Sequence, residues 1–179
     1  MRTWRTRCPK EYASSDPAKL PDKQSFDAVL DWKFQSRGLV LYGDTGMGKT
    51  RAAWALLEKL SAAGRPFEAM RASVFGKQIY QSTRPGGDND LDEWLPDLMD
   101  YDVLLLDELD KMRWTDRATS ELFEVIEHRT SEGLPIIYTT NQTAADLKKC
   151  LPPNIGPALV RRIEEFTSWV WFRGKKESL

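Results

Sequence analysis

The sequence has few cysteines and no long apolar run. Its two cysteines, Cys8 and Cys150, are too few for a disulfide framework, and neither has a cysteine or histidine partner at metal-ligand spacing. No apolar run approaches the roughly 20 residues that a membrane-spanning helix needs. The first ten residues, MRTWRTRCPK, are basic but lack the apolar core of a secretory signal. These absences argue against a secreted or membrane protein and predict a cytoplasmic location.

An excess of charge of one sign is also absent. The 179 residues include 26 lysines and arginines and 27 aspartates and glutamates, which gives a net charge of −1. This balance excludes a protein that coats nucleic acid through bulk positive charge, although a local basic patch is compatible with it. The length suits one α/β domain and is too short for two. We expect a basic, extended N-terminal arm over residues 1–23, followed by one domain over residues 24–179.

Short apolar segments alternate with amphipathic segments along the expected domain. Apolar strands separated by helices indicate a parallel sheet that helices cover on both faces. The expected strands are Leu39–Tyr42, Phe67–Met70, Val103–Leu106, Ile136–Thr139 and Trp169–Phe172. The expected helices are Ser25–Gln35, Lys49–Ala62, Val74–Gln81, Leu91–Asp100, Thr115–Thr130, Ala144–Cys150 and Pro157–Phe166. The sequence TRPGGDND at 83–90 breaks this alternation and predicts a mobile loop.

Residues 43–50 read GDTGMGKT and match G-x-x-x-x-G-K-[ST] at each fixed position. The glycines let successive backbone N–H groups point inward at a phosphate, and the start of the following helix adds a positive dipole end. We expect Lys49 to reach the β- and γ-phosphates and the Thr50 hydroxyl to bind Mg²⁺. A glycine-rich turn without a ligand is the alternative, which the strand–loop–helix context disfavours. The expected nucleotide-binding residues are Gly43, Asp44, Thr45, Gly46, Met47, Gly48, Lys49, Thr50 and Arg51.

A second strand ends in two adjacent acidic residues. The segment DVLLLDELDK at 102–111 places Asp107 and Glu108 at the carboxyl end of an apolar strand. There Asp107 can hold Mg²⁺ through its water shell, and Glu108 can accept a proton from the water that attacks the γ-phosphate. A solvated acidic turn is the alternative. The position of the glutamate favours nucleotide hydrolysis over phosphoryl transfer to a second substrate.

Two further segments carry candidate residues. GLPIIYTTNQT at 133–143 ends a strand at Asn141, whose amide positions the attacking water if this strand lies between the other two. The alternative is a turn or helix-capping asparagine, because NQTAADL begins a helix. GPALVRRIEEF at 156–166 places Arg161 and Arg162 on a helix just before the last strand. They either form surface salt bridges, which contribute little, or supply an arginine finger to a neighbouring subunit.

Taken in order, GDTGMGKT, LLLDEL, TTN and VRRI resemble the AAA+ ATPases. The chain is most similar to the clade of the bacterial helicase loaders DnaC and DnaI and the transposition helper IstB. The segment SELFEVIEHRTSEGLPIIYTTN at 120–141 is especially similar, and the resemblance covers residues 38–172. It implies a three-layer α/β P-loop NTPase fold, with a parallel sheet of strand order 5-1-4-3-2 and no C-terminal lid domain.

The resemblance also implies roles for individual residues. The family positions are Walker A at Gly43–Thr50, the Walker B pair at Asp107 and Glu108, sensor 1 at Asn141 and the box VII arginine at Arg162. Arg161 is the second choice for the finger, because the family arginine directly precedes Ile, Leu or Met. Arg129 matches an arginine that often ends its helix in this clade, where it acts in trans or forms a helix-end salt bridge.

The implied function is slow, assembly-dependent hydrolysis of ATP with Mg²⁺ in a self-associated oligomer that acts in DNA replication. The expected partners are single-stranded DNA and a replicative helicase or a transposase. The loaders carry an N-terminal helicase-binding domain, whereas this sequence offers a short arm, which weighs against helicase loading. The alternatives are an ATP-switched regulator of a helicase or loader, an IstB-like transposition helper, and a monomeric small-molecule kinase, for which the sequence indicates no acceptor pocket.

Weaker signals concern basic and aromatic residues. Arg71, Lys77 and Arg84 lie near the second strand, where they either follow a single-stranded DNA backbone or form a solvated charged face. Trp4 lies among basic residues, and we expect it to be exposed and to dock on a partner or stack on a base. Three other tryptophans match apolar stripes of the core: Trp54, Trp94 and Trp169.

Overall fold

The computed structural model describes residues 4–13, 20–82 and 91–173. The loop expected at 83–90, with Arg84 inside it, lies outside these residues. Within the described ranges, no helix combines the length and apolar character that crossing a bilayer requires.

Five parallel strands form one sheet. They are β1 (Gly38–Gly43), β2 (Phe67–Arg71), β3 (Val103–Asp107), β4 (Ile136–Thr140) and β5 (Thr167–Phe172). Their order in the sheet is β2-β3-β4-β1-β5, and every neighbouring pair is parallel. This confirms the order 5-1-4-3-2. The strand that precedes Asn141 therefore lies between the strand of the phosphate loop and the strand of Asp107.

Eight helices lie within the described residues. They are α1 (Trp4–Arg7), α2 (Lys23–Asp31), α3 (Lys49–Ala62), α4 (Ala72–Ser82), α5 (Leu91–Asp100), α6 (Asp116–Ser131), α7 (Ala144–Cys150) and α8 (Gly156–Phe166), and a 3-10 turn covers Leu109–Lys111. The helix expected to reach Gln35 ends at Asp31. At the next residue, Trp32, the backbone becomes extended, and the indole N–H of Trp32 donates to the carbonyl of Arg37 at 3.1 Å.

The helices cover both faces of the sheet. Side chains along the central strands alternate between the faces, as the geometry of a strand requires. Leu104 and Tyr138 belong to the core that contains α4 to α8, whereas Leu105 and Ile137 belong to the core that contains α2 and α3. Every residue of β3 and β4 is buried. The three-layer architecture is thus confirmed, and the carboxyl ends of the central strands open at one edge.

The N-terminal segment differs from the expectation at Trp4. Residues Trp4–Arg7 form a short helix, and Trp4 is buried against α3, with its indole N–H donating to the carbonyl of Trp54 at 3.0 Å. Arg7 forms an ion pair with Glu68 at 2.5 Å and donates to the carbonyl of Phe67 at 3.0 Å. The prediction that Trp4 is exposed is therefore wrong, because Arg7 finds its partners on β2 while the ring of Trp4 packs against α3.

Arg129 is a structural residue of the core. Its side chain is fully buried at the end of α6, and its guanidinium donates to four backbone carbonyls, those of Leu98, Met99, Asp102 and Pro135. Burial lowers the pKa of Arg129 to about 10, so the group stays protonated at neutral pH. Both expected roles, a contact in trans and a helix-end salt bridge, are wrong, because this guanidinium connects the end of α5 to the residue that precedes β4.

Replacement of Arg129 is expected to be strongly destabilising. Arg129→Met keeps much of the apolar stem and removes the donors of buried carbonyls, each of which loses about 1–3 kcal/mol of hydrogen-bonding free energy when it is left unsatisfied. We expect a drop of about 3 kcal/mol or more in the free energy of unfolding, measured by urea denaturation. His128→Ala, at the exposed neighbouring position on α6, is the control. Equal midpoints for Arg129→Met and wild type would contradict the structural role.

Candidate functional site

The phosphate loop connects β1 to α3 and leaves the start of this helix uncapped. Gly48 has a φ of 95°, a left-handed value that glycine adopts readily. It forms no side-chain cap, so the first N–H groups of α3 remain available to an anion. At the other end of the loop, a Cβ on Gly43 would lie 2.2 Å from the carbonyl oxygen of Phe172. The loop therefore needs glycine at both ends, for conformation at one and for space at the other.

Lys49 lies at the centre of the site. Its ammonium donates to the carbonyls of Gly43 at 2.6 Å and Asp44 at 2.7 Å, and to Asn141 Oδ1 at 2.8 Å. Lys49 is buried, and this desolvation lowers its pKa, while nearby carboxylates, led by that of Asp110, oppose the shift. A buried ammonium whose contacts are mainly neutral oxygens is suited to binding an incoming phosphate.

Asp107 is held by two hydroxyl groups. Its Oδ1 accepts hydrogen bonds from Thr50 Oγ1 at 2.8 Å and from Thr139 Oγ1 at 2.6 Å. Among the described residues, no cluster of three or more His, Cys, Asp or Glu side chains is arranged to hold a metal by itself. A carboxylate beside a hydroxyl suits Mg²⁺, which binds few protein oxygens and takes its other ligands from phosphates and water. The residues present therefore fit the expected ion, which the Thr50 hydroxyl would bind and which Asp107 would hold through the water shell of the ion.

Glu108 follows Asp107 in a left-handed conformation. Its φ is 55°, the only positive value for a non-glycine among the described residues, and such a conformation is disfavoured by about 1–2 kcal/mol. The backbone N–H of Glu108 donates to Thr139 Oγ1 at 2.8 Å, which ties this turn to β4. Within the described part of the chain, the Glu108 carboxylate has no hydrogen bond or ion pair. It lines a cavity of about 360 Å³ together with Lys49, Thr50 and Asn141.

Asn141 lies beside Lys49, and the helix-capping alternative does not apply to it. The N-cap of α7 is Thr143, whose side chain accepts from the N–H of Asp146. The amide group of Asn141 instead joins Lys49 to Asp110, whose carboxylate accepts from Asn141 N and Nδ2 at 3.0 Å each. The sequence analysis did not single out Asp110. Its only sequence signal is its place in DELD, two residues after Glu108.

The N-terminal segment also reaches the site, which the sequence analysis did not anticipate. Tyr12 lines the 360 Å³ cavity and an adjacent cavity of about 340 Å³, and Glu108 lies between the two. Burial raises the pKa of Tyr12 to about 12, with Glu11, Asp107 and Glu108 adding to the effect. The phenol is therefore neutral at physiological pH. Arg51 donates to the carbonyl of Glu11 at 3.2 Å, which connects this segment to the first turn of α3.

The two arginines of α8 lie on the surface of the same chain. Arg162 Nη2 donates to Glu127 Oε2 at 2.9 Å and its Nε to Oε1, while Nη1 donates to Glu165 Oε2 at 3.2 Å. The hydrogen bonds that Arg162 donates to Glu127 raise the pKa of Arg162 above its ordinary value. Arg161 is 67% exposed and lies 4.0 Å from Glu165. Neither arginine lines the 360 Å³ cavity. Within a single chain, both arginines therefore form surface ion pairs.

The basic residues near β2 are exposed. Arg71, at the carboxyl end of β2, lines the 340 Å³ cavity, and Lys77 lies on α4. Contact with DNA stays a prediction for the two basic side chains.

Among the tryptophans assigned to the core, Trp54 is buried, while Trp94 and Trp169 are partly buried against it.

Curated proteins that resemble this chain include two from bacteria. The chromosomal replication initiator protein DnaA of Mesoplasma florum is 22% identical over 105 residues, which are 59% of this chain and 24% of that protein. A Mycobacterium tuberculosis insertion-sequence protein, described by its name as ATP-binding, is 28% identical over 150 residues. These residues are 81% of this chain and 57% of that protein. The chain therefore spans about a quarter of the first relative and somewhat more than half of the second.

Solved structures share the fold over most of the chain. The structure of DnaI has a TM-score of 0.71 at 18% identity and covers 94% of this chain and 93% of its own. The DnaC helicase loader has a TM-score of 0.71 at 20% identity, covering 92% of this chain and 100% of its own. DnaA bound to AMPPCP and single-stranded DNA has a TM-score of 0.68 at 19% identity, and the match covers 84% of this chain and 45% of the DnaA chain. At these identities the likeness establishes the fold alone.

The family itself is established by a match over most of the chain. The family described as the ATPase family associated with various cellular activities matches residues 39–168, a range that contains the phosphate loop, the acidic pair, Asn141 and Arg162. The chain therefore belongs to the AAA family of ATPases.

Proposed function

We propose that this protein binds ATP with Mg²⁺ and hydrolyses it slowly, in an assembly of several copies that acts in DNA replication as the DnaC-type loaders do. The observation that carries the proposal is the convergence of two hydrogen-bonded pairs on one cavity. Lys49 donates to Asn141 and Thr50 donates to Asp107, both at 2.8 Å, and the cavity is lined by Lys49, Thr50 and Asn141. Glu108 projects into the same cavity without a partner among the described residues.

Each side chain has a defined part in the proposed reaction. The N–H groups at the start of α3 bind phosphate oxygens, and Lys49 exchanges the carbonyls of Gly43 and Asp44 for the β- and γ-phosphates. Thr50 and Asp107 hold Mg²⁺, which neutralises phosphate charge when it is bound. Glu108 accepts a proton from the attacking water. Arg162 of a neighbouring copy supplies the positive charge that the developing transition state needs.

The replication role rests on relatives rather than on the site. Structures of the DnaC helicase loader and of DnaI share the fold, and DnaA is a replication initiator by name. The insertion-sequence relative supports the alternative of an IstB-like transposition helper. The proposed partners are further copies of this chain, single-stranded DNA and a replicative helicase or transposase, and the proposed location is the cytoplasm.

Rates of ATP hydrolysis with and without single-stranded DNA test this proposal against its alternatives. An ATP-switched regulator binds ATP without sustained turnover. A small-molecule kinase, for which the 340 Å³ cavity beside Glu108 offers acceptor space, forms ADP without releasing an equal amount of phosphate when its acceptor is supplied. Equal release of ADP and phosphate, stimulated by DNA, is the result expected here.

Lys49→Ala is expected to abolish ATP binding. The variant removes the ammonium that lies between the loop carbonyls and Asn141, so the β- and γ-phosphates lose their point charge. Isothermal titration calorimetry measures the affinity. Lys148→Ala, which removes an exposed lysine paired with Glu164, controls for loss of charge. Micromolar affinity retained in Lys49→Ala would contradict the assignment of the phosphate loop.

A further inference from the structure

Asp110 lies between the acidic pair and Asn141. It belongs to the 3-10 turn Leu109–Lys111, and its side chain is 7% exposed. Its Oδ1 accepts from the backbone N–H of Asn141 and its Oδ2 from Asn141 Nδ2, both at 3.0 Å. One carboxylate therefore fixes both the backbone and the side chain of the same asparagine.

The side-chain amide of Asn141 is held at both of its ends. Its oxygen accepts from the ammonium of Lys49 at 2.8 Å, and its nitrogen donates to the carboxylate of Asp110. An amide rotated by 180° would place its NH₂ against an ammonium, which has no acceptor, and its oxygen against a carboxylate, which has no donor. Both contacts would be repulsive. The charges on the two sides thus decide which atom of the amide faces Lys49.

We propose that Asp110 is a positioning residue for hydrolysis, which fixes Asn141 with its oxygen toward Lys49 so that Asn141 accepts a hydrogen bond from the attacking water. This inference rests on the proposed ATPase function. In that reaction the water oxygen bonds to the γ-phosphorus, and the bond from this phosphorus to the β–γ bridging oxygen breaks. ADP leaves with the electron pair, and the proton passes to Glu108. The second proton stays on the water oxygen, which becomes part of the phosphate product, and Asn141 Oδ1 accepts a hydrogen bond from it.

The isosteric variant Asp110→Asn tests this orientation. The new amide can place an NH₂ against Asn141, which allows the Asn141 amide to turn and present a donor in place of an acceptor. We expect kcat to fall roughly 10- to 100-fold, the range found for outer-shell residues that orient metal ligands. The Kd for ATP should stay equal or become tighter, because a negative charge near Lys49 is removed. Asp27→Asn, an exposed position on α2, is the control for charge.

The kinetic test separates positioning from a general effect on the site. A kcat for Asp110→Asn equal to that of wild type would overturn the inference. A loss of ATP affinity by the same factor as the loss of kcat would also overturn it, because Asp110 would then shape the phosphate site rather than orient Asn141. Inactivity of the wild-type protein would instead overturn the proposed function.

A second measurement needs no ATP. In a ¹⁵N-labelled sample, the side-chain NH₂ signals of Asn141 are assigned by their loss in Asn141→Asp. The Asn141 Nδ2 proton that is hydrogen-bonded to the Asp110 carboxylate should resonate downfield in the wild type. Asp110→Asn should remove this shift. Unshifted wild-type signals would overturn the inference even if the protein hydrolyses ATP.

Discussion

Alanine at position 162 is expected to lower the ATPase rate of the assembled protein by about 10³–10⁵-fold, the range in which an arginine finger acts. Within one chain Arg162 pairs with Glu127 and Glu165 and does not line the 360 Å³ cavity, so the proposed catalytic role requires its charge to reach the nucleotide of another copy. ATP binding should persist, because the phosphate loop is unchanged. Steady-state rates over a range of protein concentrations, with calorimetric Kd values for ATP, measure both effects.

The proposed action in trans has consequences that separate it from a surface role. Wild-type specific activity should rise with protein concentration, whereas Arg162→Ala should stay inactive at all concentrations. Mixing Arg162→Ala with Glu108→Gln should restore some hydrolysis, because some interfaces then combine an intact base with an intact finger. Arg161→Ala is the matched comparison on the same helix. If Arg161→Ala is inactive while Arg162→Ala is active, Arg161 is the finger. A flat mixing curve with concentration-independent activity would mean that one chain contains the whole site.

Glu108→Gln should slow hydrolysis by roughly 10²–10⁴-fold, the usual contribution of a general base, and leave ATP binding intact. Glutamine keeps the size of the side chain and its access to the cavity, but its amide does not accept a proton from water at neutral pH. Single-turnover rates and ATP affinity are the measurements. Glu124→Gln, at an exposed position of α6, is the control. Turnover by Glu108→Gln at the wild-type rate would indicate that Glu108 is not the general base and contributes mainly to the left-handed turn after β3.

The residues that could be predicted from the sequence are those at the carboxyl ends of strands. The parallel sheet followed from apolar segments separated by helices, and in such a sheet these ends meet at one edge. Lys49, Thr50, Asp107 and Asn141 do meet there. The strand order itself came from the family resemblance, because the pattern of apolar residues does not specify which strand lies beside which. Insertion of β4 between β1 and β3 is what brings Asn141 to Lys49.

The residues that were missed or misjudged depend on partners far away in the sequence. Trp4 is buried because its ring packs against α3 and its indole N–H donates to the carbonyl of Trp54. The basic residues around Trp4 in the sequence do not indicate this burial. Arg129 is buried because four carbonyls converge on it from two separate segments. Asp110 became informative only through its contacts with Asn141. In each case the deciding contact is a backbone group or a side chain that no local pattern identifies.

The strand order also governs how the chain folds. β1 and β3 do not pair with each other, because both pair with β4, which begins at Ile136. A growing chain that has reached residue 135 therefore carries the phosphate loop and the acidic pair on separate parts of an incomplete sheet. Closing such long loops is entropically unfavourable and slows folding compared with local helix formation. The two halves of the nucleotide site join once β4 inserts, so we expect the ability to bind ATP to arise late in folding, at the step that also brings Asn141 to Lys49.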